Sequence, residues 1–331
     1  MCLKIITMDK LAIIKRPVQD ELEELKVLFD GSLTSGTPLL NQVLGYIKKR
    51  NGKMMRPLLV LLMAKVYGRV TQATYHGALA LELLHTASLV HDDVVDESDK
   101  RRGQQAVHIV FDNKVAVLVG DYMLSTCLKH SAATGQVGMV DLVARLGQDL
   151  SEGEIIQLAN TNNTDFSEAI YFDVIRKKTA ALFIASAQMG ALSGGASAEE
   201  VRKAALFGEL IGIAFQIKDD IFDYFDSPEL GKPTGNDMLE GKLTLPALYV
   251  LNHQPDEGMK ELALRIRRLE ATPDEIAEFV DYVKVHDGIS YAEQVMYDYR
   301  NRALEVLPEV MDATLRSALE AYIDFVIERK K

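Results

Sequence analysis

Residues 71–96 read TQATYHGALALELLHTASLVHDDVVD, and how this stretch folds decides the class of the protein. From Thr71 to Val95 nearly every residue is apolar or small, so the stretch reads as a long helix buried on several sides. It ends in carboxylates at Asp92, Asp93 and Asp96. Upstream, Leu58 to Val66 follows Pro57, a residue favoured at the first helical position. Before that, Leu22, Leu25, Leu28 and Phe29 form one helical stripe. Downstream, period-3.6 patterns cover about 104–130, 137–160, 167–193, 199–225 and 242–252, then 257–325 in pieces. Pro273-Asp274 and Gly288 mark breaks in the last region. No stretch alternates as a strand, and no fixed-period repeat, linker or low-complexity tract occurs. Leu192 to Ser197 is short enough to be a helix–helix turn. The expectation is one all-α domain over residues 1–331, with ten or more helices.

Composition narrows the function classes. Of 331 residues, 48% are hydrophobic and 26% charged, which is ample material for a core and excludes global disorder. The longest apolar run, Leu58 to Ala64, falls far short of the roughly 20 residues that span a bilayer. Near the start, Cys2, Leu3, Ile5 and Ile6 are interrupted by Lys4 and Met8-Asp9-Lys10 before a signal region forms. The expectation is a cytoplasmic protein with no transmembrane segment. Two cysteines, Cys2 and Cys127, give neither a disulfide framework nor metal-ligand spacing, and Cys127 reads as apolar filler. A net charge of −11 argues against nucleic acid as a partner. It leaves an anionic small molecule open, because local clusters decide that.

The carboxylate pattern occurs twice, as Asp92-Asp93-Val94-Val95-Asp96 and as Asp219-Asp220-Ile221-Phe222-Asp223. With 25 aspartates in the chain, composition alone would give two such patterns in about one chain in a hundred. Each also closes a strongly apolar helical run, which chance does not require. Asp92 and Asp96 stand at i and i+4, on one helix face and about 6 Å apart along the axis. Asp219 and Asp223 repeat the spacing. Like charges at a helix C-terminus repel one another and oppose the macrodipole. A divalent cation removes that penalty, and an all-oxygen donor set selects a hard ion such as Mg²⁺.

Cations lie close by in sequence. Arg101-Arg102-Gly103 follows the first cluster, and Gly52-Lys53-Met54-Met55-Arg56-Pro57 opens an apolar helix. Lys177-Lys178-Thr179 interrupts another, Lys218 adjoins the second cluster, and Lys232 and Lys242 follow it behind glycines. Carboxylates together with separate Lys and Arg groups fit phosphates held by bridging metal on one side and fixed cations on the other. Neither a Walker A loop nor a GxGxxG loop is present, which argues against nucleotide phosphoryl transfer.

Taken in order, these motifs resemble the trans-isoprenyl diphosphate synthases, or polyprenyl synthetases. They run Gly52-Lys53-x-x-Arg56-Pro57, then His85 ahead of HDDVVDESDKRRG, Lys178-Thr179, and Phe215-Gln216-x-x-Asp219-Asp220-x-x-Asp223. Gly231-Lys232 and Gly241-Lys242-x-Thr244-x-Pro246 complete the set. His85 through Gly103 is most similar to the bacterial long-chain members that make octaprenyl diphosphate. The resemblance implies antiparallel helices around a central cavity, a homodimer, and head-to-tail condensation of isopentenyl diphosphate onto an allylic diphosphate primer. It further implies about three Mg²⁺ per active site: two on Asp92 and Asp96, a third on Asp219 with Asp223, and Asp93 and Asp220 as partial or outlying ligands. Arg101, Lys178, Thr179, Gln216 and Lys242 would meet the allylic diphosphate with Lys232 nearby, and Lys53, Arg56, His85 and Arg102 would cradle isopentenyl diphosphate. Asp92, Asp96, Asp219, Lys178 and Gln216 would carry the catalysis.

The chemistry agrees with the residues. Heterolysis of an allylic C–O bond leaves pyrophosphate with extra negative charge, which cations stabilise more in the transition state than in the ground state. The allylic cation needs a dry surround without strong nucleophiles, and Thr179 and Gln216 suit it. The departing proton goes to pyrophosphate, so no general-base side chain is demanded, and His85 reads as a diphosphate hydrogen-bond donor.

Product length should depend on the helix leading into Asp92. Ser88 at i−4 and Ala87 at i−5 are small, where short-chain relatives carry bulky residues that stop elongation. The next candidates for a wall are Leu84 and, on the facing helix, Met123. Small residues from Ala180 to Gly190 either widen the same space or serve close helix packing. The expected product is octaprenyl, within a range of about seven to ten units and destined for a quinone side chain. A product of that size leaves room for a transient membrane contact on release. The rival readings are a farnesyl or geranylgeranyl synthase, a terpene cyclase, a non-catalytic regulatory partner subunit, and a purely structural helical protein. A cyclase would show an NSE or DTE motif in place of Asp219-Asp220-x-x-Asp223. A regulatory subunit would be expected to lose one cluster or its cations.

Overall fold

The structure is a computed structural model that describes residues 9–49, 54–101, 103–160, 163–225, 234–254 and 256–328. It is all-α: among the described residues the strands are a two-residue antiparallel pair, Lys100–Arg101 with Gln104–Gln105. The chain forms two compact units, one of residues 1–147, 182–208 and 308–322, the other of 148–181, 209–307 and 323–331.

The first unit is built on the helix Gln72–Val95. Thr71 caps it, accepting from the Thr74 N–H while Thr74 returns the bond to the Thr71 N–H. Its neighbour Met55–Tyr67 buries every residue from Pro57 to Ala64. Full burial of each such Leu or Val contributes ~1.5–3 kcal/mol. The helix starts at Met55, two residues before the proline that marked it in sequence.

The predicted helical run 104–130 is divided. Asp112 adopts φ 92° and its carboxylate accepts from the Val115 N–H at 2.9 Å, ending the turn Val107–Phe111 and starting Asn113–Ala133. Asn113–Ala133 then lies along Gln72–Val95. At Gly120 a Cβ would come within 2.1 Å of His91 Nε2, so a larger residue there would displace the His91 ring. Further along, Cys127 is buried, its thiol pushed up to about 11 by burial, and His76 and His130 meet at 3.0 Å between Nδ1 atoms. Cys127 is therefore packing, as its sequence setting implied. The small residues of Ala181–Gly194 also serve close packing: a Cβ on Gly190 would lie 2.4 Å from the Val60 carbonyl, and one on Gly194 2.6 Å from that of Ala64.

The second unit has its own core, in which Tyr224, Leu251, Ile266, Phe279 and Val283 pack together. Pro273 stands at the first position of Pro273–Val285, behind a Thr272–Glu275 capping box. Gly288 opens the next helix, where a Cβ would strike the Pro246 carbonyl at 2.6 Å. Buried Arg267 ties down the backbone at 163–165, donating to the Asn163 and Asp165 carbonyls at 2.5 and 2.9 Å. One π-helical turn, Arg176–Ala180, follows the helix Glu168–Ile175. Such turns are rare and frequent at functional sites; this one carries Lys177, Lys178 and Thr179.

Candidate active site

In the first unit the apolar helix delivers its carboxylates at the C-terminal end. Asp92 is half-buried on the last turn, and Asp96 is the exposed C-cap, its N–H bonded to the Asp92 carbonyl at 2.8 Å. Asp93, about 100° around the helix from Asp92, turns inward and is 1% exposed. There it accepts a 2.5 Å bond from Arg101 Nε, delivered by the short hairpin. The structure therefore separates the three: Asp92 and Asp96 keep a shared outer face, while Asp93 holds Arg101.

Arg56 is half-buried on the first turn of Met55–Tyr67, its guanidinium 5.8 Å over the Phe183 ring. His85 is buried two turns before Asp92, and its carbonyl accepts from Ser88 Oγ at 2.9 Å. Of the residues expected to cradle isopentenyl diphosphate, Lys53 and Arg102 lie outside the described residues, as does Lys232. Among the wall candidates, Ala87, Leu84 and Met123 are buried and Ser88 is half-buried. Leu84 abuts small neighbours: its backbone hydrogen-bonds the Cys127 sulfur, and its side chain reaches toward Gly147.

In the second unit the Ala198–Phe222 helix ends in the other cluster. Asp219 is exposed, and Asp220 is 2% exposed. Both oxygens of Asp220 take donors, Oδ2 from the Tyr171 hydroxyl at 2.5 Å and Oδ1 from Gln216 Nε2 at 2.8 Å. Thr179 Oγ1 in turn donates to Gln216 Oε1 at 2.6 Å. Asp223 is buried, and its two oxygens accept the N–H groups of Asn236 and Asp237, each at 3.0 Å. Lys178 pairs with Glu154 and donates to Gln157 Oε1 at 3.3 Å, and Lys242 pairs with Glu240 at 2.5 Å.

Asp237, Tyr171 and Glu154 were not singled out by sequence. Asp237 belongs to the second cluster electrostatically: burial and then the Asp223 charge push its carboxyl up to about 7. Burial, with Asp237 and Asp219 adding to it, likewise holds Asp220 well above the usual carboxylate range. The only sequence signal for Asp237 is an acidic residue between Gly235 and Gly241, and Tyr171 reads as one more apolar-face aromatic.

Carboxylates held this close are costly unless a cation shares their charge. Among the described residues no three His, Cys, Asp or Glu groups are gathered into a ready-made metal site. Mg²⁺ keeps several waters and binds through one or two carboxylates plus substrate phosphates rather than in an all-protein cage. The donors present in each unit fit a hard divalent ion completed by phosphate oxygens.

A sequence model of the family described as polyprenyl synthetase matches residues 37–283. Octaprenyl diphosphate synthase of Escherichia coli (strain K12) is 32% identical over 300 residues, covering 90% of this chain and 93% of the relative. Heptaprenyl diphosphate synthase component 2 of Geobacillus stearothermophilus is 35% identical over 291 residues, 88% of this chain and 90% of that one. The solved structure of geranylgeranyl pyrophosphate synthase from Bacteroides thetaiotaomicron superposes with a TM-score of 0.86 at 51% identity, covering 97% of this chain and 100% of its own.

Proposed function

The chain belongs to the polyprenyl synthetase family of prenyltransferases, and from that premise we propose that it is a long-chain all-trans polyprenyl diphosphate synthase. It would extend an allylic diphosphate with isopentenyl diphosphate to a product of about eight units, within a range of about seven to ten, for a quinone side chain. The observation that carries the reaction class is the second cluster, where Asp219, Asp220, Asp223 and Asp237 crowd negative charge that a divalent cation would offset.

In this reading Asp92 and Asp96 hold Mg²⁺ in the first unit, and Asp219 with Asp223 in the second, about three ions in all. When bound, the metal supplies Lewis-acid charge against the negative charge growing on the departing diphosphate. Lys178, Arg101 and Lys242, each now held by an acidic neighbour, exchange that partner for phosphate oxygens. Thr179 and Gln216, hydrogen-bonded to each other, offer neutral dipoles to an allylic cation in place of thiol or amine nucleophiles. Arg56 and His85, with Lys53, Arg102 and Lys232, complete the diphosphate contacts. One catalytic domain and a cytoplasmic homodimer, in transient contact with a membrane on product release, belong to the same reading. No helix among the described residues is long and apolar enough to cross a membrane.

Product length rests on Ala87 and Ser88, which put no bulky side chain one turn from Asp92. A second reading, geranylgeranyl diphosphate synthase, is favoured by the 51% identical relative of that description. The heptaprenyl relative is described as a component, so a role as one subunit of a mixed assembly is the alternative to a self-sufficient homodimer. Purified chain incubated with Mg²⁺, farnesyl diphosphate and labelled isopentenyl diphosphate separates all three. Long products support the proposal, products ending at four units support the second reading, and no incorporation without an added partner supports the third.

A further inference from the structure

Tyr171 lies in the helix that precedes the π-helical stretch and Thr179 within that stretch, and both are bonded into a single turn of the Ala198–Phe222 helix. The bonds form a directed chain. The Thr179 hydroxyl donates to the Gln216 amide oxygen at 2.6 Å, which turns the amide nitrogen toward Asp220. That nitrogen donates to Asp220 Oδ1 at 2.8 Å, and the Tyr171 hydroxyl donates to Oδ2 at 2.5 Å. Gln216 is one helical turn before Asp220 and moves with it. Tyr171 comes from a different helix, so it alone among the two donors fixes Asp220 to a second element. Its ring is buried, with Phe172 edge-on at 5.3 Å, which leaves the hydroxyl little freedom to point elsewhere.

A carboxylate has about four acceptor positions, and two on Asp220 are taken by these donors. The two bonds fix the orientation of the Asp220 carboxylate and so of its remaining acceptor positions. The chain of bonds also brackets Lys178 between two tethered residues. We propose that Tyr171 is a positioning residue of the second carboxylate cluster, setting its affinity for a divalent cation through Asp220; this rests on the reading of that cluster as the cation site.

The test is direct binding of Mn²⁺, followed by electron paramagnetic resonance with inorganic pyrophosphate present, in the full-length protein. Wild type, Tyr171→Phe and Asp219→Asn are compared, with thermal unfolding run alongside. Tyr171→Phe removes one oxygen and keeps the ring. Its Mn²⁺ dissociation constant should rise about tenfold or more, the usual effect of losing a group that orients a ligand, while its unfolding temperature stays near wild type. In turnover the half-saturating Mg²⁺ concentration should rise while the rate at saturating Mg²⁺ recovers to within about threefold, a split that a general packing defect would not give. If Tyr171→Phe lost its fold, Tyr171→Leu, which also removes the hydroxyl from Asp220 Oδ2, should weaken Mn²⁺ in the same direction. Wild-type affinity in whichever variant folds overturns the positioning role while leaving the cation site intact. Absence of Mn²⁺ binding in the wild type overturns the cation site and the positioning role together.

Discussion

Replacing Ala87 with phenylalanine should shorten the product. Ala87 has no exposed surface and lies five residues before Asp92 on the same helix, ~7.5 Å along its axis. Two metal–oxygen bonds would set the diphosphate ~4 Å beyond the carboxylates. An isoprene unit adds four carbon–carbon bonds of ~1.5 Å and extends ~5 Å. A ring at position 87 therefore leaves room for about two or three units. Ala87 is fully buried, so the larger side chain should cost ~1–3 kcal/mol in stability. The assay is chain-length analysis of dephosphorylated products, with thermal unfolding as the control. Products of about three units or fewer from a folded Ala87→Phe variant are expected. Wild-type length from a folded variant would show that the growing chain does not pass Ala87, and the length argument would fail with it.

Other outcomes follow from the same geometry. Asp92→Ala and Asp219→Ala should each lower condensation at least ~100-fold, beyond what loss of an orienting group costs. Both side chains reach solvent, so unfolding should shift by no more than about 0.5 kcal/mol; near-normal turnover in either variant would remove that cluster from the mechanism. Gly190→Ala drives a Cβ to 2.4 Å from the Val60 carbonyl and should destabilise by ~1–3 kcal/mol or more in a denaturant titration. The Asp237 carboxyl is raised from an ordinary 3.8 to about 7, so between those values the folded metal-free protein binds more protons than the unfolded chain. Its contribution to stability is thus largest at low pH and is lost as pH rises toward 7. Metal-free wild type should lose stability across that window more steeply than Asp237→Asn, and the gain on adding Mg²⁺ should be larger at pH 8 than at pH 6. Parallel pH profiles for the two proteins would contradict this.

Much of the scaffold is legible in the sequence because apolar periodicity and end signals agree there. Thr71 to Val95 becomes Gln72–Val95 with Thr71 as cap, and the breaks at Pro273 and Gly288 fall where capping and close approach require them. Where sequence and structure differ, the cause is a local backbone event with no periodic signature. Asp112 in a positive-φ conformation divides one run, and the π turn at Arg176–Ala180 divides another. At the site, i,i+4 spacing places Asp92 with Asp96, and helical phase explains why Asp93 turns away to Arg101. Asp237 and Tyr171 escaped notice because they join the second cluster through folding of distant segments. Nothing adjacent to them in sequence marks an acid held near pH 7 or a phenol aimed at Asp220.

The measurement closest to the central claim is product analysis of the wild-type chain alone, supplied with farnesyl diphosphate and labelled isopentenyl diphosphate, with Mg²⁺ and with EDTA. Mg²⁺-dependent products of about seven to ten units, absent with EDTA, are predicted. Products that stop at four units would contradict the long-chain assignment while keeping the reaction. No incorporation with Mg²⁺ and any allylic primer would contradict the assignment of this chain as a self-sufficient synthase.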